Sequence, residues 1–161
     1  MPNWAEQVTA IATSVGALGL VGAFGAVMFA GQQVRESRRS TQAQMAAEFF
    51  RRWDDSDLVE ARRLVDRLVA DQRLLETFQR YVAEQAPEVY VLYRELDYFE
   101  QLAALERRGA FDFAMIKMLI GRTLISRWEM WKPALDAAYG PDVYPLFASL
   151  VSKLRADLDR L

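Results

Sequence analysis

The residues best suited to chemistry lie in YRELDYFEQL, residues 93–102. Glu95, Asp97 and Glu100 fall within two helical turns there, and neighbouring carboxylates can act as general acid and base or hold Mg²⁺. On a helix Asp97 and Glu100 share a face, whereas Glu95 sits nearer the apolar stripe through Leu92 and Phe99. Glu95 is therefore expected to meet Arg122 or Arg127 from a neighbouring helix as a partly buried ion pair. Helical carboxylate metal centres repeat a Glu-x-x-His unit, which a chain without histidine cannot supply. Structural ion pairing is the expected role of these carboxylates, and no catalytic residue or metal site is expected.

The absence of histidine also removes the commonest general base and the usual haem ligand. The absence of cysteine excludes disulfides, thiolate catalysis and cysteine metal sites. No glycine-rich phosphate loop, nucleophile elbow or dinucleotide fingerprint occurs, so no cofactor is expected. With 20 basic against 22 acidic residues, the chain lacks the basic field that draws nucleic acid, and no nucleic-acid partner is expected. Arg51-Arg52 and Arg62-Arg63 flank the acidic turn at Asp54–Asp57 and read as a solvated, mutually screened surface. Phe49, Phe50, Trp53, Phe99, Trp128 and Trp131 fall mostly on apolar stripes and are expected in a core.

The elements that must position these groups begin with an uncharged run, VTAIATSVGALGLVGAFGAVMFAG, from Val8 to Gly31. A bilayer core about 30 Å thick needs roughly 20 apolar residues of helix. The run has 24, about 36 Å of helix at about 1.5 Å per residue, and predicts a transmembrane helix. Trp4 sits where interfacial tryptophans anchor a span. Arg35, Arg38 and Arg39 follow it, so the N-terminus is expected outside and the remainder inside. A basic n-region and short apolar core are missing, so the segment is expected to be retained, not cleaved as a signal. Thr9, Ala12, Gly16, Gly19, Ala23, Ala26 and Ala30 recur at alternating spacings of three and four. All are small, the pattern by which helices pack in lipid, where close backbone approach replaces hydrophobic drive. Its period of about 3.5 favours a left-handed crossing near +20°.

No helix breaker appears between Gly31 and Trp53, so residues 32–53 are expected to continue as a juxtamembrane helical stalk, following the cap and span at 1–31. Met45, Phe49 and Trp53 begin a core-facing stripe. Residues 54–161 read as a small helical bundle. Asp57 with Glu60 suits a helix start, and either Asp71 or the segment ending at Pro87 can end that helix. Gly109 is a stop, and Asp112 starts a helix carrying Ile116, Leu119, Ile120, Thr123, Leu124, Trp128 and Trp131. Pro133 is expected to kink or divide that helix. Pro141-Asp142 is expected to open a last one, with Leu146, Leu150, Leu154 and Leu158 spaced by four. Nothing reads as a strand, so the fold class is all-α.

Three segments, EFFRRWDDSDLVEARRLV, LDYFEQLAALERRG and IGRTLISRWEMWKP, resemble a group of small bacterial proteins with one N-terminal span and a helical cytosolic domain of unknown function. The likeness covers roughly Glu48 to Pro133 and implies topology and an all-α fold, with no activity and no functional residues to carry over. The expected localisation is the inner (cytoplasmic) membrane. The expected function is that of a non-catalytic structural or scaffold subunit docked in a larger respiratory, photosynthetic or transport complex, with lipid and other transmembrane helices as partners. A self-associating sensor or effector is the alternative, and a carboxylate-based membrane enzyme comes third.

Overall fold

The computed structural model describes residues 40–160 together with Gln33, Glu36 and Ser37. The apolar run, Trp4, the small-residue stripe from Thr9 to Ala30, and Arg35, Arg38 and Arg39 lie outside the described residues. Among the described residues no helix is long and apolar enough to cross a membrane. The chain divides into two units, Met1–Met45 and Ala46–Leu161. The described residues of the first, including 40–45, are helical.

In the second unit, helical residues 46–51 form α1. A single 3₁₀ turn at Arg52–Asp54 follows, then α2 (Ser56–Ala70), α3 (Leu74–Ala83), α4 (Val89–Arg107), α5 (Phe113–Tyr139) and α6 (Pro145–Leu158). The described residues are all-α, with no strand. α4 lies between α2 and α6, while α5 packs against α3 and α6.

Three of these helices stop in the same way. After α2, α3 and α4 the chain turns through a left-handed residue, Gln72 (φ 57°), Gln85 (φ 52°) and Gly109 (φ 70°). The next amide then reaches back five residues: Arg73 N to Leu68 O at 2.7 Å, Ala86 N to Tyr81 O at 2.9 Å, and Ala110 N to Leu105 O at 2.9 Å. These bonds satisfy carbonyls that a helix end otherwise leaves unpaired. Only Gly109 adopts that conformation without a steric cost, which is why it alone is conspicuous as a stop in the sequence. Both breaks that Asp71 and Pro87 suggested are present, and they separate α2, α3 and α4. α2 starts at Ser56 with Asp55, not Asp57, in the cap position. At the start of α5, Asp112 accepts the Ala114 amide at 2.7 Å.

Pro133 neither divides nor ends α5, which runs 27 residues through it to Tyr139. Proline removes one helical hydrogen bond, but Trp131, Ala134 and Leu135 on either side are at most 1% exposed. Burial of that face outweighs the lost bond. The last helix begins at Pro145, later than Pro141-Asp142 suggested, with proline in the first turn where its missing N–H is harmless.

The core is centred on α4. Leu92, Leu96, Phe99 and Leu102 are fully buried, with Val65 of α2, Phe78 of α3, Leu124 and Trp131 of α5, and Phe147 and Leu154 of α6. Of the residues that α5 was expected to carry, Ile116, Leu124, Trp128 and Trp131 are buried, whereas Leu119 and Thr123 are exposed, Leu119 by 54%. α5 meets α6 instead through Gly121, where a Cβ would lie 3.4 Å from Leu154 Cδ2. In the stripe entering the bundle, Met45 is exposed whereas Ala46 and Phe49 are buried. Phe49 stacks on Tyr98 at 4.5 Å between centroids, and the Tyr98 hydroxyl donates to the Phe49 carbonyl at 3.3 Å.

Candidate functional site

α4 distributes the three carboxylates to two environments. Glu95 faces α5 and has no exposed surface. Its Oε2 accepts from Trp131 Nε1 at 3.3 Å. Its Oε1 lies 3.2 Å from Arg127 Nε, close enough for an ion pair. The contact is off the line of a hydrogen bond, and Oε1 accepts none. The same guanidinium reaches Asp66 Oδ1 of α2 at 2.6 Å and is itself 13% exposed. One arginine from α5 thus ties α2 to α4. Burial pushes the Glu95 carboxyl above its ordinary range. The charge of Arg127 and the indole hydrogen bond oppose that push, and Asp66 adds to it. The structure brings Glu95 and Arg127 together; Arg122 is exposed and lines a separate hollow with Lys117 and Met118.

Glu100 lies on the opposite flank of α4 and accepts two backbone amides at the start of α6, Leu146 N at 3.1 Å and Phe147 N at 2.7 Å. An anionic carboxylate at a helix N-terminus satisfies orphan donors and complements the dipole. That service comes from another helix because the residue in the cap position, Tyr144, makes no side-chain capping bond. Tyr144 holds φ 55° and ψ 54°, a left-handed conformation unfavourable for a bulky residue and further restricted by the following Pro145. Its hydroxyl donates to Asp97 Oδ1 at 3.1 Å. Beside it the hydroxyls of Tyr93 and Tyr139 are in hydrogen-bond contact.

These side chains surround an open hollow of about 480 Å³, walled by Tyr93, Tyr139 and Tyr144 with Asp97 and Glu100, and completed by Val143 and Pro145. No lysine or arginine contributes to its wall. Burial, reinforced by the Tyr139 hydroxyl for Tyr93 and by Asp97 for Tyr144, raises both phenols above their ordinary value. Both are therefore neutral at physiological pH. Among the described residues no group of three or more acidic side chains is placed to hold a metal ion.

The arginine doublets do not act as units, because successive helical residues point about 100° apart. Arg51 makes an exposed pair with Glu48 at 2.6 Å, and Arg52 reaches Gln101 at 3.4 Å. Arg62, expected to be solvated, is only 17% exposed. It donates to the Trp53 carbonyl at 2.7 Å and lies 3.9 Å over the Trp53 ring. The tyrosine-lined hollow was not legible in the sequence, since Tyr93 and Tyr139 are 46 residues apart. Its only local signal is the bulky residue before proline in Gly-Pro-Asp-Val-Tyr-Pro.

No curated protein matches the chain. No solved structure matches it either. A family model, a domain of unknown function designated DUF4760, matches residues 13–154. This agrees with the resemblance to an uncharacterised family, and the match takes in both flanks of α4, all three carboxylates and the three tyrosines. Covering most of the chain, it establishes that the protein belongs to the DUF4760 family.

Proposed function

We propose that this protein is a non-catalytic, single-pass membrane protein that serves as a structural or scaffold subunit of a larger membrane complex. Residues 8–31 cross the inner membrane, the N-terminus lies outside, and the helical domain works on the inner side against a partner. The observation that carries this reading is the uncharged run of 24 residues, followed and not preceded by arginines. The family match begins at residue 13, inside that run, which favours the span as an integral part of the family's architecture. The carboxylates add support, since Glu95 and Glu100 are engaged in holding helices together. Met118 and Leu119 offer an apolar ledge, 77% and 54% exposed, for a partner to cover. Arg35, Arg38 and Arg39 fix the topology of the span by staying on the inner side.

The test is fractionation followed by native electrophoresis of the tagged full chain in mild detergent. The chain is expected to resist alkaline extraction from membranes and to migrate well above its monomer mass with a distinct membrane protein. Release by alkali, or a lone monomer in detergent, overturns the reading. The small-residue stripe favours a second reading, self-association as a sensor or effector. It predicts homo-oligomers that dissociate in Gly16→Leu or Gly19→Leu, and crosslinking that captures no homo-oligomer rejects it.

A further inference from the structure

We infer that the hollow between α4 and the start of α6 is a binding site for an organic cation carrying a short alkyl stem, a protonated amine. Three observations converge on that chemistry. First, the hollow measures about 480 Å³, within the range of about 300–1,000 Å³ that small-molecule sites occupy. Second, its wall combines three phenol rings with two carboxylates and no basic side chain. Aromatic faces attract cations and suit apolar stems, carboxylates hold ammonium groups, and an anion meets only repulsion. The two carboxylates are not equivalent. Both oxygens of Glu100 are engaged by backbone amides. Asp97 is exposed and gives one oxygen to the Tyr144 hydroxyl, so Asp97 is the anchor for the ammonium group. The nearest cation on α4, Arg94, is turned to Asp57 at 3.7 Å.

Third, the wall contains a strained residue. Tyr144 is held in the left-handed region directly before proline, where glycine or asparagine serves a turn at lower cost. The fold sustains that conformation and in doing so places a phenol ring and hydroxyl against Asp97. Backbone strain of this kind recurs at ligand-binding walls, where the surrounding structure holds the residue in place. Tyr90, 67% exposed and packed edge-on against Tyr93 at 6.2 Å, extends the aromatic surface beyond the rim.

The test uses the full chain in a non-ionic detergent with ¹³C-labelled tyrosine rings, titrated with n-butylammonium and, separately, with its neutral counterpart n-butanol at constant ionic strength. Butylammonium is expected to shift Tyr93, Tyr139 and Tyr144 saturably, with a half-point on the order of millimolar for so small a ligand, and to leave Tyr81 in place. Asp97→Asn is expected to weaken binding about tenfold by removing the charged acceptor. Tyr139→Ala, at an exposed ring, is expected to weaken it about threefold. An equal response to butanol, a shift that never saturates, or unchanged binding in Asp97→Asn overturns the site. A Gly-Gly-Lys-Gly-Gly peptide distinguishes the source: tighter binding than butylammonium supports a lysine of a protein partner, and weaker binding supports a free amine.

Discussion

The two flanks of α4 carry carboxylates five residues apart, Glu95 and Glu100, and use them in opposite ways. Toward α5, Glu95 is sealed from water with an arginine and an indole as its company. Toward α6, Glu100 stays near solvent and takes two backbone amides, with Asp97 and three tyrosines beside it. The difference lies in desolvation. A buried carboxylate loses its hydration and depends on imperfect compensation from Arg127, so the Glu95 side is rigid and intolerant of change. A carboxylate at a helix N-terminus keeps part of its hydration and gains aligned donors, so the Glu100 side stabilises while leaving an open hollow next to it.

The contrast is broken most severely by Arg127→Met. That substitution strands Glu95 and is expected to cost about 3–5 kcal/mol, the penalty of an uncompensated buried charge. Urea unfolding of the full chain in detergent, followed by tryptophan fluorescence, measures it. The double variant Glu95→Leu, Arg127→Met is expected to recover most of the loss, because apolar residues of similar size need no partner. A double variant as unstable as the single one would show that Arg127 acts chiefly through Asp66.

On the other flank, Glu100→Ala is expected to cost about 2 kcal/mol by leaving two amides of α6 without a charged acceptor. Hydrogen exchange at Leu146 and Phe147 should accelerate in that variant, with amides in the middle of α5 little changed. A uniform acceleration would place Glu100 in the global core instead of at a helix end.

The pH dependence separates the flanks further. The Glu95 carboxyl is raised in the folded state, so the folded protein holds that proton more tightly than the unfolded chain does. Its contribution is therefore fully present below the unfolded value and is lost as pH rises through the folded value. In Glu95→Gln that loss disappears, and the stability difference between wild type and variant should move against the wild type as pH rises above the ordinary glutamate value of 4.5. Parallel pH profiles for the two proteins would reject the assignment.

The smallest effect is expected at Tyr144. Replacement by glycine relieves a strained backbone while removing a ring and a hydrogen bond, and the net change is expected to stay within about 1 kcal/mol. Tyr144→Phe keeps the strain, loses the bond to Asp97, and is expected to be the less stable of the two. The reverse order would mean that the ring's packing outweighs the backbone strain.

What was legible in the sequence follows the range of the forces involved. Gly109 and Asp112 were readable as a helix stop and a helix start, because a left-handed turn and an Asx cap are decided within a few residues. Gln72 and Gln85 were not, since glutamine carries no turn signal, although each is left-handed where the next amide closes the helix end. Pro133 misled as a helix stop for the converse reason: its local effect is real, but the helix continues through it where Trp131, Ala134 and Leu135 are buried.

By itself the sequence determined the helical character of the described residues, the absence of histidine and cysteine chemistry, and the placement of Glu95 apart from Asp97 and Glu100. Each of these depends only on residue type or on the 3.6-residue period of one helix. The tertiary structure alone decided that Arg127 and not Arg122 meets Glu95, that Glu100 serves a helix beginning 45 residues later, and that Tyr93, Tyr139 and Tyr144 enclose one hollow. Those outcomes depend on how the helices cross and rotate against each other. That is set by the summed packing of the whole core, to which no single local motif testifies.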